Sequence, residues 1–365
     1  MQTERIPIYK PYLGEEEREI VAECMKSTWI SSQGRYIDDF ERGVEAYTGA
    51  KHAIAVNNGT VAIHLAMLAL NITSGDEVIT TNFTYVASSN AILYVGASPV
   101  FVDIDPLTWN INVDLIEAKI SSKTKAILYT NVYGAPADYT KLKKIADKHD
   151  IYLIEDAAES FGATYHDKKS GTLGDISTYS FFGNKTITTG EGGMVLTPHK
   201  ELAEKIRKLK NQGNSDTVRY YHDILGYNYR MTNIQAAIGV AQLGKIKVIL
   251  ELKKTLQQNY ERELETLVDF QKLLENSTSS YWMCSVLFKS AEEKIKVMNA
   301  LEKENIDTRP FFTPIDELPF YDKVDDCPHS KEISAKGMNL PSFPDLKKTN
   351  QDRIIEIIRK NISKS

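Results

Sequence analysis

The chain has 365 residues, 42% hydrophobic and 25% charged, with a formal net charge of -5. That length exceeds one minimal core and implies two packed domains of a globular protein. The acidic balance gives no ground for nucleic acid or an anionic membrane as partner, so an anionic ligand needs a local basic site.

Three cysteines, Cys24, Cys284 and Cys327, are scattered and form no CxxC pair. This argues against a disulfide framework and a metal site of the zinc type, and it fits a reducing cytosol, hence a cytoplasmic protein. The opening stretch MQTERIPIYKPYLGEEE lacks the apolar centre of a signal peptide, and no apolar run is long enough to span a bilayer.

Along the chain, EEEREIVAECMKS has helical spacing with acids at its start. HAIAVNN reads as a buried strand and TVAIHLAMLAL as the helix after it. DEVITT is a strand, YVASSNAILYVG a helix and SPVFVDID a strand. TKAILYTNVYG, IYLIEDAA, ISTYSFF and GGMVLT continue the strands, with YTKLKKIADKHD as a helix among them. Strands alternating with helices predict a mainly parallel sheet covered on both faces. GEGGMVLT is expected to turn back antiparallel beside ISTYSFF. This gives a large domain over 1–244.

Past Gly244 comes a long helical pattern, KIKVILELKKTLQQNYERELETL, whose charges read as a solvated face. A strand (YWMCSVLF), a helix (AEEKIKVMNALEKEN), a Pro-rich connection (TRPFFTPIDELP) and a final helix (TNQDRIIEIIRKNIS) follow. Residues 245–365 thus form a smaller α+β domain of common size. The fold class is α/β.

The chemistry gathers at the ends of these strands. Asp156 closes an apolar strand, where ligands of open α/β sheets bind. A buried acid there needs a partner, such as a protonated ring nitrogen. By itself Asp156 reads equally well as a helix cap. Lys185, in SFFGNKTITTGEGGMV, comes one strand later among small, polar and glycine residues. Such flanks make a tight loop and not a charged helix face, and burial would turn the amine into a nucleophile. Asn58, Gly59 and Thr60 open a helix after a strand, which suits a phosphate cup and simple N-capping alike. Ser180 can add a hydroxyl to that cup. Tyr85 sits before another helix, where its ring can stack on a planar ligand or merely pack. One ligand would use all of these parts: pyridoxal 5′-phosphate, a phosphorylated heteroaromatic aldehyde that acts as an electron sink.

The stretches NNGTVAIHLAMLAL, GDEVITTNFTYVASSNAI, IEDAAESFGATYHDKKSGTLGDISTYSFFGNKTITTGEGGMV and GYNYRMTNIQAAIG resemble the DegT/DnrJ/EryC1/StrS family of sugar-nucleotide aminotransferases. The likeness runs from Ile6 to the C-terminal helix. It implies a pyridoxal phosphate-dependent fold type I enzyme, a homodimer with shared active sites. It maps the Schiff-base lysine onto Lys185 and the ring-nitrogen partner onto Asp156. Glu159 falls at the position near the cofactor's ring hydroxyl. Gly59, Thr60 and Ser180 match phosphate binders, and Tyr85 the stacking aromatic. Asn228 matches a residue that reaches the phosphate from the neighbouring subunit. Relatives with His at the lysine position deoxygenate; Lys185 favours transamination.

The implied substrates are L-glutamate as amino donor and a nucleotide-linked 4-keto-6-deoxy sugar as acceptor, with pyridoxamine 5′-phosphate formed between half-reactions. Arg230 and Arg309 are the candidates for the diphosphate, because the guanidinium fork binds phosphate oxygens bidentately. His329 stands either near the sugar or on an exposed loop. Residues 211–227 either shape the substrate mouth or simply connect. The cofactor motifs do not distinguish a GDP-linked from a dTDP- or UDP-linked sugar, or C4 from C3. A cofactor-bound regulatory protein without turnover is the rival of another class. An NAD-type oxidoreductase lacks its GxGxxG after the first strand.

Overall fold

The computed structural model describes residues 5–324 and 326–362. Helix α1 (Glu15–Ser27) carries Glu15, Glu16 and Glu17 in its first turn, where acids offset the helix dipole. After α2 (Arg35–Thr48) come β1 (His52–Val56), α3 (Gly59–Ala69), β2 (Glu77–Thr81), α4 (Ala87–Tyr94) and β3 (Ser98–Val102). Then follow β4 (Thr124–Thr130), α5 (Tyr139–His149) and β5 (Tyr152–Asp156). Two short strands, β6 (Thr164–Tyr165) and β7 (Lys168–Lys169), precede β8 (Ile176–Ser180) and β9 (Gly193–Thr197). Helices α6 (Lys200–Lys210), α7 (Asn233–Gly244) and α8 (Ile246–Leu264) lead into the second half.

The main sheet has the order β1-β9-β8-β5-β4-β2-β3. Its pairs are parallel except where β9 meets β8 and β1. The antiparallel return of GGMVLT beside ISTYSFF is therefore present. Alternation sends neighbouring residues to opposite faces. Val78, Leu128 and Ile154 pack under α3, α4 and α6, while Ile79, Ile127 and Leu153 pack on Leu142 and Ala146 of α5. Apolar residues on both faces are the reason these strands read as continuous hydrophobic runs.

The second sheet, β10-β12-β14-β13, is antiparallel throughout. It consists of β10 (Asp269–Phe270), β12 (Cys284–Leu287), β13 (Arg309–Pro310) and β14 (Gly337–Leu340). Between β10 and β12, strand β11 (Ser277–Thr278) returns to pair with β6. Helices α9 (Ala291–Lys303), α10 (Pro328–Lys336) and α11 (Lys348–Asn361) complete the chain.

One feature departs from the sequence reading. Helix α8 does not present all its charges to water: Lys253 is buried and donates to the Ser342 carbonyl at 2.9 Å. The helix spans both cores, with Ile249 in the first and Leu256, Tyr260 and Leu264 in the second. Ile6 also lies in the second core and bridges to Ile306. The segment around Ile6 therefore forms a strap across to the later sheet.

Candidate active site

A cavity of about 850 Å³ opens at the carboxyl ends of the parallel strands. Its walls include Gly59, Thr60, Tyr85, Asp156, Glu159, Ser180, Lys185 and Arg309. The topology causes this meeting: β5 and β8 are parallel neighbours, so Asp156 and Ser180 emerge at one edge. Helix α3 starts there too, because β1 points the same way.

Asn58 caps α3, its side chain accepting the Val61 N–H at 3.0 Å. The Gly59 and Thr60 N–H groups occupy the first two helical positions, where no carbonyl of the same helix can take them. Glycine at 59 is needed for close approach, since a Cβ there would stand 2.7 Å from Ser180 Cβ.

Asp156 is buried and accepts the Ser88 hydroxyl at 2.6 Å and the Ala158 N–H at 3.1 Å. Burial raises its pKa; these two donors and the Lys185 charge pull the other way. The preceding Glu155 points to the opposite face, as strand alternation requires. There it takes the Gly171 and Leu173 N–H groups and the hydroxyls of Ser170 and Ser177. Glu155 is a buried strut.

Lys185 lies in the loop between β8 and β9, with its side chain 12% exposed. Its Nζ is 3.9 Å from Glu159 Oε1 and 4.0 Å from the centre of the Trp282 ring. Burial lowers its pKa, opposed by the Glu159 and Asp156 charges. Glu159 accepts the Tyr133 N–H at 2.7 Å with its other oxygen. Burial pushes the Glu159 carboxyl up to about 7. Tyr85, 59% exposed, stands at the mouth with its ring centre 6.2 Å from that of Phe312. Arg309, at the edge of the second sheet, is exposed.

The remaining expected residues lie elsewhere in this chain. Arg230 donates to the side-chain oxygens of Asn228 and Asn211, at 3.0 and 3.2 Å, and neither Arg230 nor Asn228 lines the cavity. His329 also lies away from this chain's cavity. It is the second residue of α10, and its backbone N–H is taken by Asp103 at 2.8 Å. Pro328 starts that helix, so the residue after it is committed to the first turn. Residues 211–227 form an excursion that exposes Tyr220, Tyr221 and Leu225.

Sequence reasoning missed Ser88, Trp282, Phe312 and Tyr9, whose hydroxyl donates to the Lys185 carbonyl at 2.7 Å. Ser88 was within reach of inference, being one helical turn after Tyr85. The others come from distant stretches with no local signal.

The DegT/DnrJ/EryC1/StrS aminotransferase family model matches residues 11–359. The chain belongs to this family. It is 46% identical to a GDP-perosamine synthase of Escherichia coli O157:H7 over 93% of this chain and 94% of the relative. It is 45% identical to a GDP-perosamine synthase of Vibrio cholerae, over 93% and 95%. A putative sugar aminotransferase from Streptococcus pneumoniae, solved in its PLP form, superposes with a TM-score of 0.93 at 27% identity, covering 99% of this chain and 100% of that one.

The family member described here is thus a pyridoxal phosphate-dependent aminotransferase, and its cavity fits that cofactor. Asp156 is a buried carboxylate held only by neutral donors, so a protonated ring nitrogen would complete it. The Asn184 Oδ1 atom, on a residue lining the cavity, is buried with no partner among the described residues. The lack of a Cβ at Gly59 lets Ser180 close on the start of α3, where the first backbone N–H groups have no carbonyl of their own helix and suit a phosphate. Among the described residues, no helix is long and apolar enough to cross a membrane.

Proposed function

We propose that this aminotransferase moves the amino group of L-glutamate to C4 of GDP-4-keto-6-deoxymannose, giving GDP-perosamine and 2-oxoglutarate. The observation that carries the reading is the convergence of Lys185, Asp156 and the α3 start on one cavity. The identity to two GDP-perosamine synthases over nearly the full chain supports the sugar and the base.

Bound pyridoxal phosphate would supply an aldehyde for condensation with amines and a conjugated ring to hold the electron pair of the broken Cα–H bond. Gly59, Thr60 and Ser180 would hold the phosphate. Asp156 would keep the proton on the ring nitrogen. Tyr85 would cover a ring face, and Glu159 would meet the ring hydroxyl. Lys185 Nζ would anchor the cofactor and would take the proton from the donor Cα; a lowered pKa suits an amine to this duty. Arg309 is exposed at the cavity wall, where its fork can bind the diphosphate. Asn228 and Arg230 lie off their own cavity, which suits a contribution to a second subunit of a homodimer.

A panel of keto sugar nucleotides with glutamate as donor tests this reading. Turnover should be highest with GDP-4-keto-6-deoxymannose. Preference for a dTDP- or UDP-linked sugar, or for a 3-keto sugar, would overturn the substrate. Cofactor absorbance that does not respond to glutamate would favour a regulatory protein.

A further inference from the structure

Two successive carbonyls of the lysine loop are gripped by side chains remote in sequence. Tyr9 donates its hydroxyl to the Lys185 carbonyl at 2.7 Å, and Trp282 donates Nε1–H to the Asn184 carbonyl at 2.7 Å. A loop outside any ladder normally gives its carbonyls to water. Here, half-buried Tyr9 and buried Trp282 fix both carbonyls next to the residue whose side chain enters the cavity.

Both donors are themselves fixed. Tyr9 belongs to the N-terminal strap and packs against the core of the second sheet, with Lys253 Nζ 5.2 Å from its ring centre. Trp282 is 5% exposed and stacks on Tyr133, with centres 6.2 Å apart and planes at 19°. Tyr133 also gives its N–H to Glu159, so the acid and the tryptophan beside Lys185 share one support.

We propose that Tyr9 and Trp282 form an aromatic clamp that positions Lys185, fixing its backbone through two hydrogen bonds and its ammonium against the Trp282 face. The clamp rests on the reading of Lys185 as the reacting amine. It ties the reach of that amine to the seating of the second sheet on the first, because Tyr9 packs against the core of the second sheet and Trp282, just before β12, stacks on Tyr133 after β4.

The groups facing Lys185 Nζ set the sign of a test. Glu159 and Asp156 favour its charged form, and Arg309 disfavours it. The Trp282 ring face also favours the charged form. Loss of the ring therefore lowers the pH at which Lys185 deprotonates. Simple loosening that admits water raises it.

Trace labelling of the cofactor-free protein with acetic anhydride, read by mass spectrometry across pH, reports Lys185 directly. Trp282→Leu should lower its labelling midpoint by roughly half a pH unit or more. Tyr9→Phe keeps the ring and removes one hydroxyl. In the holoenzyme it should lower kcat roughly tenfold with both KM values within about twofold, and it should speed hydrogen exchange in residues 183–189. Should Trp282→Leu fail to fold, Trp282→Phe retains a ring face and should hold the midpoint while losing kcat. A midpoint that stays or rises in Trp282→Leu, a Trp282→Phe enzyme with normal kcat, or a Tyr9→Phe enzyme with normal kcat and exchange, would overturn the clamp. Turnover retained by Lys185→Ala would instead remove the functional reading, which the cofactor-free labelling does not depend on.

Discussion

Lys185 and Lys253 are both buried lysines whose charged form burial disfavours, yet their surroundings differ. Lys253 sits mid-helix in α8, hydrogen-bonded to the Ser342 carbonyl, and burial brings its pKa down to about 8. Lys185 sits on a loop at a cavity wall, between the Glu159 carboxylate and the Trp282 ring. Burial alone thus makes an amine easier to deprotonate. Chemistry also needs an approach route, a neighbouring acid and a backbone that aims the side chain. Lys253 has a carbonyl to satisfy it and does not line the cavity.

Exchanging the two lysines in turn gives the sharpest contrast. Lys185→Ala should lower turnover by about a thousandfold or more, whereas Lys253→Met, which reaches the site only through the Tyr9 ring, should cost no more than about tenfold; comparable losses at both sites would erase the distinction. Next in size, Asp156→Asn should cost about a hundredfold in kcat with the fold intact by circular dichroism. Near-normal rates would show that the ring-nitrogen partner lies elsewhere.

A smaller effect concerns stability. The folded-state pKa of Lys253 lies below its ordinary 10.5. Between about pH 8 and 10.5 the unfolded chain binds more protons at this site, so stability rises with pH there and the cost is fully present below that window. Denaturant unfolding of the wild type should gain at most ~3 kcal/mol on Lys253→Met across that range. A flat difference would mean that the amine is solvated. The smallest change is expected from Glu159→Gln. It removes a charge that favours protonated Lys185, so the Lys185 labelling midpoint should fall by about a pH unit or less. An upward move would mean that water entry outweighs the lost charge.

The sequence was informative where function sits at strand ends. Asp156, Ser180 and the Asn58–Gly59–Thr60 helix start follow from apolar runs that stop at polar or glycine residues, because a parallel sheet sends such ends to one edge. Lys185 stood out because its neighbours are too small and polar for a charged helix face. His329, read as either near the sugar or on an exposed loop, stands in the first turn of α10, which Pro328 opens. Lys253 misled because its neighbours in KIKVILELKKTLQQ are mostly charged and polar. Only the packing of α8 between two cores shows which turn is covered.

What the sequence determined by itself is the alternation of strands and helices, the polar residues at their ends and the membership of a family, since each is written in local order and spacing. What only the tertiary structure decided is which distant side chains reach Lys185: Tyr9 from the strap, Trp282 from the approach to β12, and Arg309 from β13. Their contacts depend on how the second sheet seats against the first. No local periodicity encodes that seating, because it arises from burial of surfaces contributed by both ends of the chain.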